Sequence, residues 1–121
     1  MPLFWTIDSK KRWVELTAAG PVTRDDVSGY LEAVSGAGAL GYRKLFDGRE
    51  STCSLSEEDL IAAGAEVRSY HDRGVGPLAV VLTPEQTQPL ARLLGILASA
   101  RRPMRIFASP MTARRWLDSL P

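Results

Sequence analysis

The sequence has little of what small chemical sites are usually built from. Its 121 residues include one cysteine and one histidine, so the sequence predicts no disulfide framework and no metal site of several cysteine or histidine ligands. It also lacks an excess of one charge, because 15 lysines and arginines stand against 14 aspartates and glutamates. Nucleic-acid binders draw much of their affinity from phosphate neutralisation. We therefore expect no nucleic-acid partner.

Long apolar runs are missing as well. The most apolar stretch, residues 78–83, is far too short to span a bilayer. The first eight residues have no basic start, and Asp8 interrupts their apolar run, which does not fit a signal peptide. With 45% hydrophobic and 24% charged residues, the composition is that of an ordinary globular protein. We expect a single cytoplasmic domain over residues 1–121 with no membrane span.

Two extended segments open the chain, at residues 3–8 and 13–19. The polar link between them, about four residues long, suits an antiparallel hairpin. Side chains in the second segment alternate in character, which is the period of a half-buried strand. The alternating sets are Val14, Leu16 and Ala18 on one face, and Trp13, Glu15 and Thr17 on the other.

Four helix start signals follow the hairpin. Each is a hydroxyl residue placed before acidic residues or proline, a pattern that caps a first helical turn. The capping residues are Thr23, Ser56, Thr83 and Ser109. After Thr83, a proline takes the first helical position and Gln86 the third. An apolar stripe at helical spacing follows each signal.

Short apolar runs between these helices predict three further strands, at residues 44–47, 78–82 and 104–107. Alternating strands and helices favour parallel pairing with helical crossovers. The sequence thus predicts an α/β domain in the order ββαβαβαβα, with four helices. Its five-stranded sheet is mixed and mostly parallel, and it begins with an antiparallel hairpin.

Two patterns suggest chemistry, and both fail on geometry. Cys53 and His71 would form a nucleophile–base pair, but a helix from Ser56 to about residue 73 places His71 roughly 20 Å from its start. A catalytic pair needs about 3 Å. The glycines within residues 36–41 have dinucleotide-fingerprint spacing, yet they follow a helix and precede a strand, the reverse of what that motif requires. We predict no catalytic residue, no enzyme activity and no cofactor.

The order of elements, the segment GPVTRDDV and the stretch YRKLFDGRESTCSLSEEDL resemble the STAS domain group, in particular its SpoIIAA-like branch. The resemblance implies a small non-enzymatic binding module that acts by exchanging protein partners. In the best-known bacterial members, the exchange follows phosphorylation of a serine or threonine between the third strand and the second helix. That loop often reads Asp-Ser-Ser-Gly, whereas residues 52–57 here do not, and three acidic residues follow Ser56.

The resemblance marks Ser56, Ser54 and Thr52 as candidates for phosphorylation or partner binding. Ser56 also has a structural interpretation as the N-cap of the second helix. A phosphate on Ser56 would be favoured by the helix dipole and opposed by the acids that follow it. Ser54 and Thr52 lie farther from those acids.

The candidate interaction surface also includes Asp47, Arg49, Glu50 and Trp13. For Trp13 there are two alternatives. Either a helix covers it, or it is an exposed anchor for a protein partner or for a second copy of the chain in a homodimer.

The leading hypothesis is a regulatory, protein-binding module that uses the loop from Gly48 to Ser56. The alternative is a carrier of a small apolar ligand, a role that the resemblance implies because a related SpoIIAA-like group shares features with lipid-carrying CRAL-TRIO domains. Its pocket would lie between the sheet and the third helix, against Leu90, Leu93, Leu94 and Leu97.

Overall fold

A computed structural model describes residues 3–53, 55–70, 74–87, 95 and 103–121, apart from the side chains of Cys53 and Val67. Within these ranges the backbone forms five strands and four helices. In chain order they are β1 (Leu3–Asp8), β2 (Trp13–Val22), α1 (Arg24–Gly36), β3 (Arg43–Cys53), α2 (Glu57–Ser69), β4 (Leu78–Val81), α3 (Pro84–Thr87), β5 (Met104–Phe107) and α4 (Pro110–Ser119).

The strands form one mixed sheet in the order β1-β2-β3-β4-β5. β1 runs antiparallel to β2, and every later neighbour is parallel. This confirms the predicted fold class and the predicted order of elements.

The pair β2–β3 extends farther than the sequence predicts. β2 continues to Val22 and β3 to Cys53, and the two strands remain paired over these extensions. Glycine and proline usually end a strand, and for that reason the expected strands stopped before Gly20 and Gly48. The structure accommodates Gly48 in a β-bulge, because the register shifts between Thr17 and Ala19 of β2.

The predicted caps at the starts of α1, α2 and α4 are present as hydrogen bonds. Thr23 Oγ1 accepts from the Asp26 backbone N–H at 3.2 Å, and the Thr23 N–H donates to Asp26 Oδ2 at 2.8 Å, which completes a capping box. Ser56 and Asp59 make the same two bonds at the start of α2. Ser109 Oγ accepts from the Met111 N–H at the start of α4.

The sheet buries apolar side chains on both faces. On one face, Val14 of β2 packs with Val34 of α1. On the other, α4 covers the sheet and buries the cluster of Leu45, Ala79, Val81, Ala113 and Leu117. All four residues of β4 are buried, as expected for a central parallel strand.

The turn between α1 and β3 closes against the segment before β4. The Gly76 N–H donates to Leu40 O at 2.8 Å. The buried Lys44 ammonium donates to Leu40 O at 2.5 Å and to Tyr42 O at 2.8 Å. Gly76 lies so close to this turn that a Cβ there would contact Tyr42 O and come within 2.5 Å of Gly41 O. Glycine has no Cβ, so this steric clash does not arise.

Substitution of Gly76 should therefore be costly. We expect Gly76→Ala to lower the free energy of unfolding by about 1–3 kcal/mol, because backbone atoms have little room to move aside. Gly29→Ala is the matched control, since Gly29 is an exposed residue inside α1 with open space around its Cα. It should raise stability by about 0.5–1 kcal/mol. Denaturant unfolding checks both values, and equal effects of the two substitutions would contradict the packing described.

Candidate functional site

β3 extends beyond the end of its neighbour β4. β4 pairs with β3 from Lys44 to Asp47, whereas β3 continues to Cys53 with β2 as its strand partner. We call residues 48–53 the projecting segment. It lies at the carboxyl end of the parallel strands, where ligands of open α/β sheets usually bind.

The side chain of Gln86 fixes the projecting segment. Its Nε2 lies 2.9 Å from Gly48 O, 3.0 Å from Arg49 O and 3.1 Å from Ser51 O. Its Oε1 accepts from the Thr83 N–H at 2.8 Å. The amide thus satisfies carbonyls on the side of β3 that β4 does not reach. The sequence identified Gln86 as part of a helix start, but its long-range contacts could not be read from local spacing.

An ion pair stands at the base of the projecting segment. Arg49 Nε donates to Asp47 Oδ1 at 3.0 Å, and Arg49 Nη2 donates to Asp47 Oδ2 at 2.8 Å. The Arg49 backbone N–H also donates to Oδ1 at 3.2 Å. These hydrogen bonds, the side-chain bonds foremost, lower the pKa of Asp47 against the opposing effect of partial burial. The two charges are therefore paired next to the bulge.

The remaining candidates at this end of the sheet differ in the contacts they make. Glu50 and Thr52 are exposed on the projecting segment. Ser56 is exposed too, but its hydroxyl caps α2 through the Asp59 N–H at 3.1 Å. Ser54 lies outside the described residues. Ser51, which the sequence did not single out, donates its hydroxyl to Gly48 O at 2.7 Å and so braces the bulge.

Trp13 is placed apart from these residues. It stands at the start of β2, opposite Arg43 at the start of β3, and so at the far end of the sheet. Its half-buried ring packs against the apolar cluster under α4, and its Nε1–H donates to Glu15 Oε1 at 3.3 Å. A helix covers Trp13 in part, so its role as a partner anchor stays a prediction.

Several sequence candidates fall outside the described residues. They include His71 and the leucines of the third helix, so the apolar-ligand pocket remains a prediction. Within the described ranges, no three side chains of histidine, cysteine, aspartate or glutamate are grouped so as to hold a metal ion. Among the helices that the structure describes, none has the length and apolar character needed to cross a membrane.

Removal of the Gln86 amide should loosen the projecting segment. We expect Gln86→Leu to lower the free energy of unfolding by about 1–3 kcal/mol, because carbonyls near the bulge lose their donor. Amide hydrogen exchange in residues 49–53 should also become faster. Glu85→Gln is the control, since Glu85 is exposed on the same helical turn. Unchanged exchange in Gln86→Leu would show that the Gln86 hydrogen bonds do not order the projecting segment.

The Asp47–Arg49 ion pair should make the stability of the fold depend on pH. Arg49→Gln should raise the pKa of Asp47 toward its usual value of about 3.9, as followed by NMR titration of the carboxyl carbon. Because the pair lowers the pKa in the folded state, its stabilising effect is present above the unfolded-state pKa and is lost as pH falls through the folded-state value. The stability gap between wild type and Arg49→Gln should therefore close at low pH. Arg68→Gln, on α2, should leave the Asp47 titration unchanged.

Comparison with known proteins supports the fold. The chain resembles the crystal structure of an uncharacterized DUF3478-family protein with a SpoIIAA-like fold from Shewanella loihica PV-4. The two share 16% sequence identity at a TM-score of 0.68, over 95% of this chain and 91% of that one. No family model matches the sequence. A search of curated proteins also finds no match. The chain thus has a SpoIIAA-like fold, as its resemblance to the STAS group implied.

Proposed function

We propose that the chain is a non-enzymatic, protein-binding regulatory module. Its partner contacts the projecting segment and the start of α2, a surface that includes Asp47, Arg49, Glu50, Thr52 and Ser56, and a contribution of Ser54 stays a prediction. The main support is the way Gln86 holds the backbone of the projecting segment at three carbonyls. A STAS-like role agrees with the SpoIIAA-like fold.

Order in the projecting segment favours the binding of a partner. A loop that is ordered before it meets its partner loses less conformational entropy on association. The bulge, the Gln86 bonds and the Asp47–Arg49 ion pair supply this order. Around them the exposed groups are an acid, a hydroxyl and a paired guanidinium, which suit recognition of a polar protein surface.

If phosphorylation controls binding, Thr52 is the better-supported acceptor of the two that the structure describes. The hydroxyl of Ser56 already accepts a hydrogen bond as the helix cap, and the carboxylate of Asp59 binds the Ser56 N–H at 3.3 Å. A phosphate there would repel that carboxylate and displace it. Thr52 is exposed near the end of β3, opposite Pro21. Ser54 stays a prediction.

The test is affinity capture with quantitative mass spectrometry. The full chain is immobilised, and wild type is compared with the double variant E50R/T52R. We expect at least about a tenfold loss of specific partners in the variant, which corresponds to roughly 1.4 kcal/mol of binding free energy. Met111→Arg is the control, because Met111 is 68% exposed and lies on α4, outside the projecting segment and α2. It should retain the wild-type partners.

Two outcomes would count against the proposal. One is an equal partner list and equal recovery for wild type and E50R/T52R. The other is turnover of a small molecule by the purified chain that the same double variant abolishes.

Intact-protein mass spectrometry of chain isolated from its native cells reports phosphorylation, and fragment ions then distinguish Thr52 from Ser54 and Ser56.

The single-domain boundary at residues 1–121 and the cytoplasmic location expected from the sequence stay predictions alongside this function.

A further inference from the structure

The two edges of the sheet differ in how they are protected. An edge strand presents unpaired backbone N–H and C=O groups, and proteins usually protect such strands with short length, charge, proline or a bulge. β5 has such protection, because it is four residues long, follows Pro103 and carries the exposed Arg105. β1, at the other edge, also follows a proline, Pro2, but it is six residues long and its one charged residue, Asp8, is the last of them.

β1 is a regular and uncharged edge strand over most of its length. It pairs with β2 in six consecutive register positions without a shift. From Leu3 to Ile7 it contains neither a charged residue nor proline. Its Phe4 side chain is 56% exposed. The basic residues Lys10, Lys11 and Arg12 lie in the turn beyond the strand, so they do not guard this edge.

One face of β1 is also open. Phe4 stands opposite Thr17 and Thr6 opposite Glu15, so these side chains share the face on which α4 packs. α4 reaches β2 through the bond from Arg114 Nη2 to Glu15 Oε1 at 2.7 Å. Phe4, Thr6 and Thr17 are exposed beyond that contact. In the described part of the chain, the open face and the open edge therefore meet at Phe4.

We propose that a second copy of the chain pairs with this edge, β1 against β1, so that the two sheets join into one. Antiparallel pairing about a two-fold axis is self-complementary, as expected of a homodimer interface. Residues that lie opposite each other across the two β1 strands must point to the same face of the joined sheet. This condition restricts which residues of the two strands can be paired. A pairing centred on Trp5 uses the uncharged stretch from Leu3 to Ile7 and sets Phe4 of one protomer opposite Thr6 of its partner.

Charge complementarity supports a second copy as the occupant. In this arrangement the hairpin turn of one protomer lies beside the end of the partner's sheet at which β2 ends and α1 begins. The turn carries Lys10, Lys11 and Arg12 next to Asp8, a net charge of +2. The first turn of α1 carries Asp25 and Asp26 next to Arg24, a net charge of −1. Opposite charges therefore meet twice, once on each side of the axis. This interface does not involve the projecting segment, so it is independent of the proposed function.

Sedimentation equilibrium of the full chain over a concentration series tests the dimer. We expect wild type to dissociate on dilution, with weaker association at high salt because surface charges are screened. The double variant F4K/T6K should raise the dissociation constant at least about tenfold, since it places like charges across the interface. Met111→Lys is the control, because Met111 is another exposed apolar residue, 68% exposed on α4 compared with 56% for Phe4. Thermal unfolding verifies that each variant is folded.

Cysteine cross-linking tests the register. Residues that face each other directly across an antiparallel pair are about 4.5–5.5 Å apart between Cβ atoms, close enough for a disulfide after small adjustments. In a Cys53→Ser background, a mixture of Phe4→Cys and Thr6→Cys chains should form mixed disulfides. Each variant alone should cross-link far less, because identical positions are then offset along the strands.

A monomer at every concentration would overturn the proposal. So would a dimer that F4K/T6K leaves as tight as wild type, because the interface would then lie elsewhere. Cross-linking that is as efficient within each single variant as in the mixture would overturn the register centred on Trp5.

Discussion

The parallel pairing of β2 with β3 is the interaction on which the other elements depend. It joins the antiparallel hairpin to the parallel strands, and it is the longest pairing in the sheet. Along its length it buries Val14 and Leu16 on one face and Leu45 on the other. Beyond the reach of β4 the pair continues alone, and the bulge at Gly48 permits this continuation. Both the central core and the candidate site are therefore built on one strand pair.

Much of this architecture was readable from local sequence. The helix starts at Thr23 and Ser56 could be predicted because a capping box needs residues only three positions apart. The five strands were found because burial leaves a period or an apolar run in the chain. These features depend on neighbours along the sequence, so a single sequence is enough to predict them.

The features that were missed depend on contacts between distant residues. Gly48 would usually end a strand, yet here it is buried, and a Cβ there would lie 2.8 Å from the ring of Phe46. Gln86 looked like a helix-start residue, and its bonds to β3 span more than thirty residues of chain. Trp13 was left between two alternatives because the position of α4 over the sheet cannot be derived from the spacing of β2 alone.

The position of Gln86 has a mechanical consequence. Its Oε1 is tied to the backbone before α3, while its Nε2 is tied to the bulge of β3. Hydrogen bonds at these distances weaken steeply when their geometry changes. A displacement of α3 by about an ångström would therefore release the carbonyls of β3 together. The amide thus couples the position of α3 to the hydrogen bonding of the end of β3.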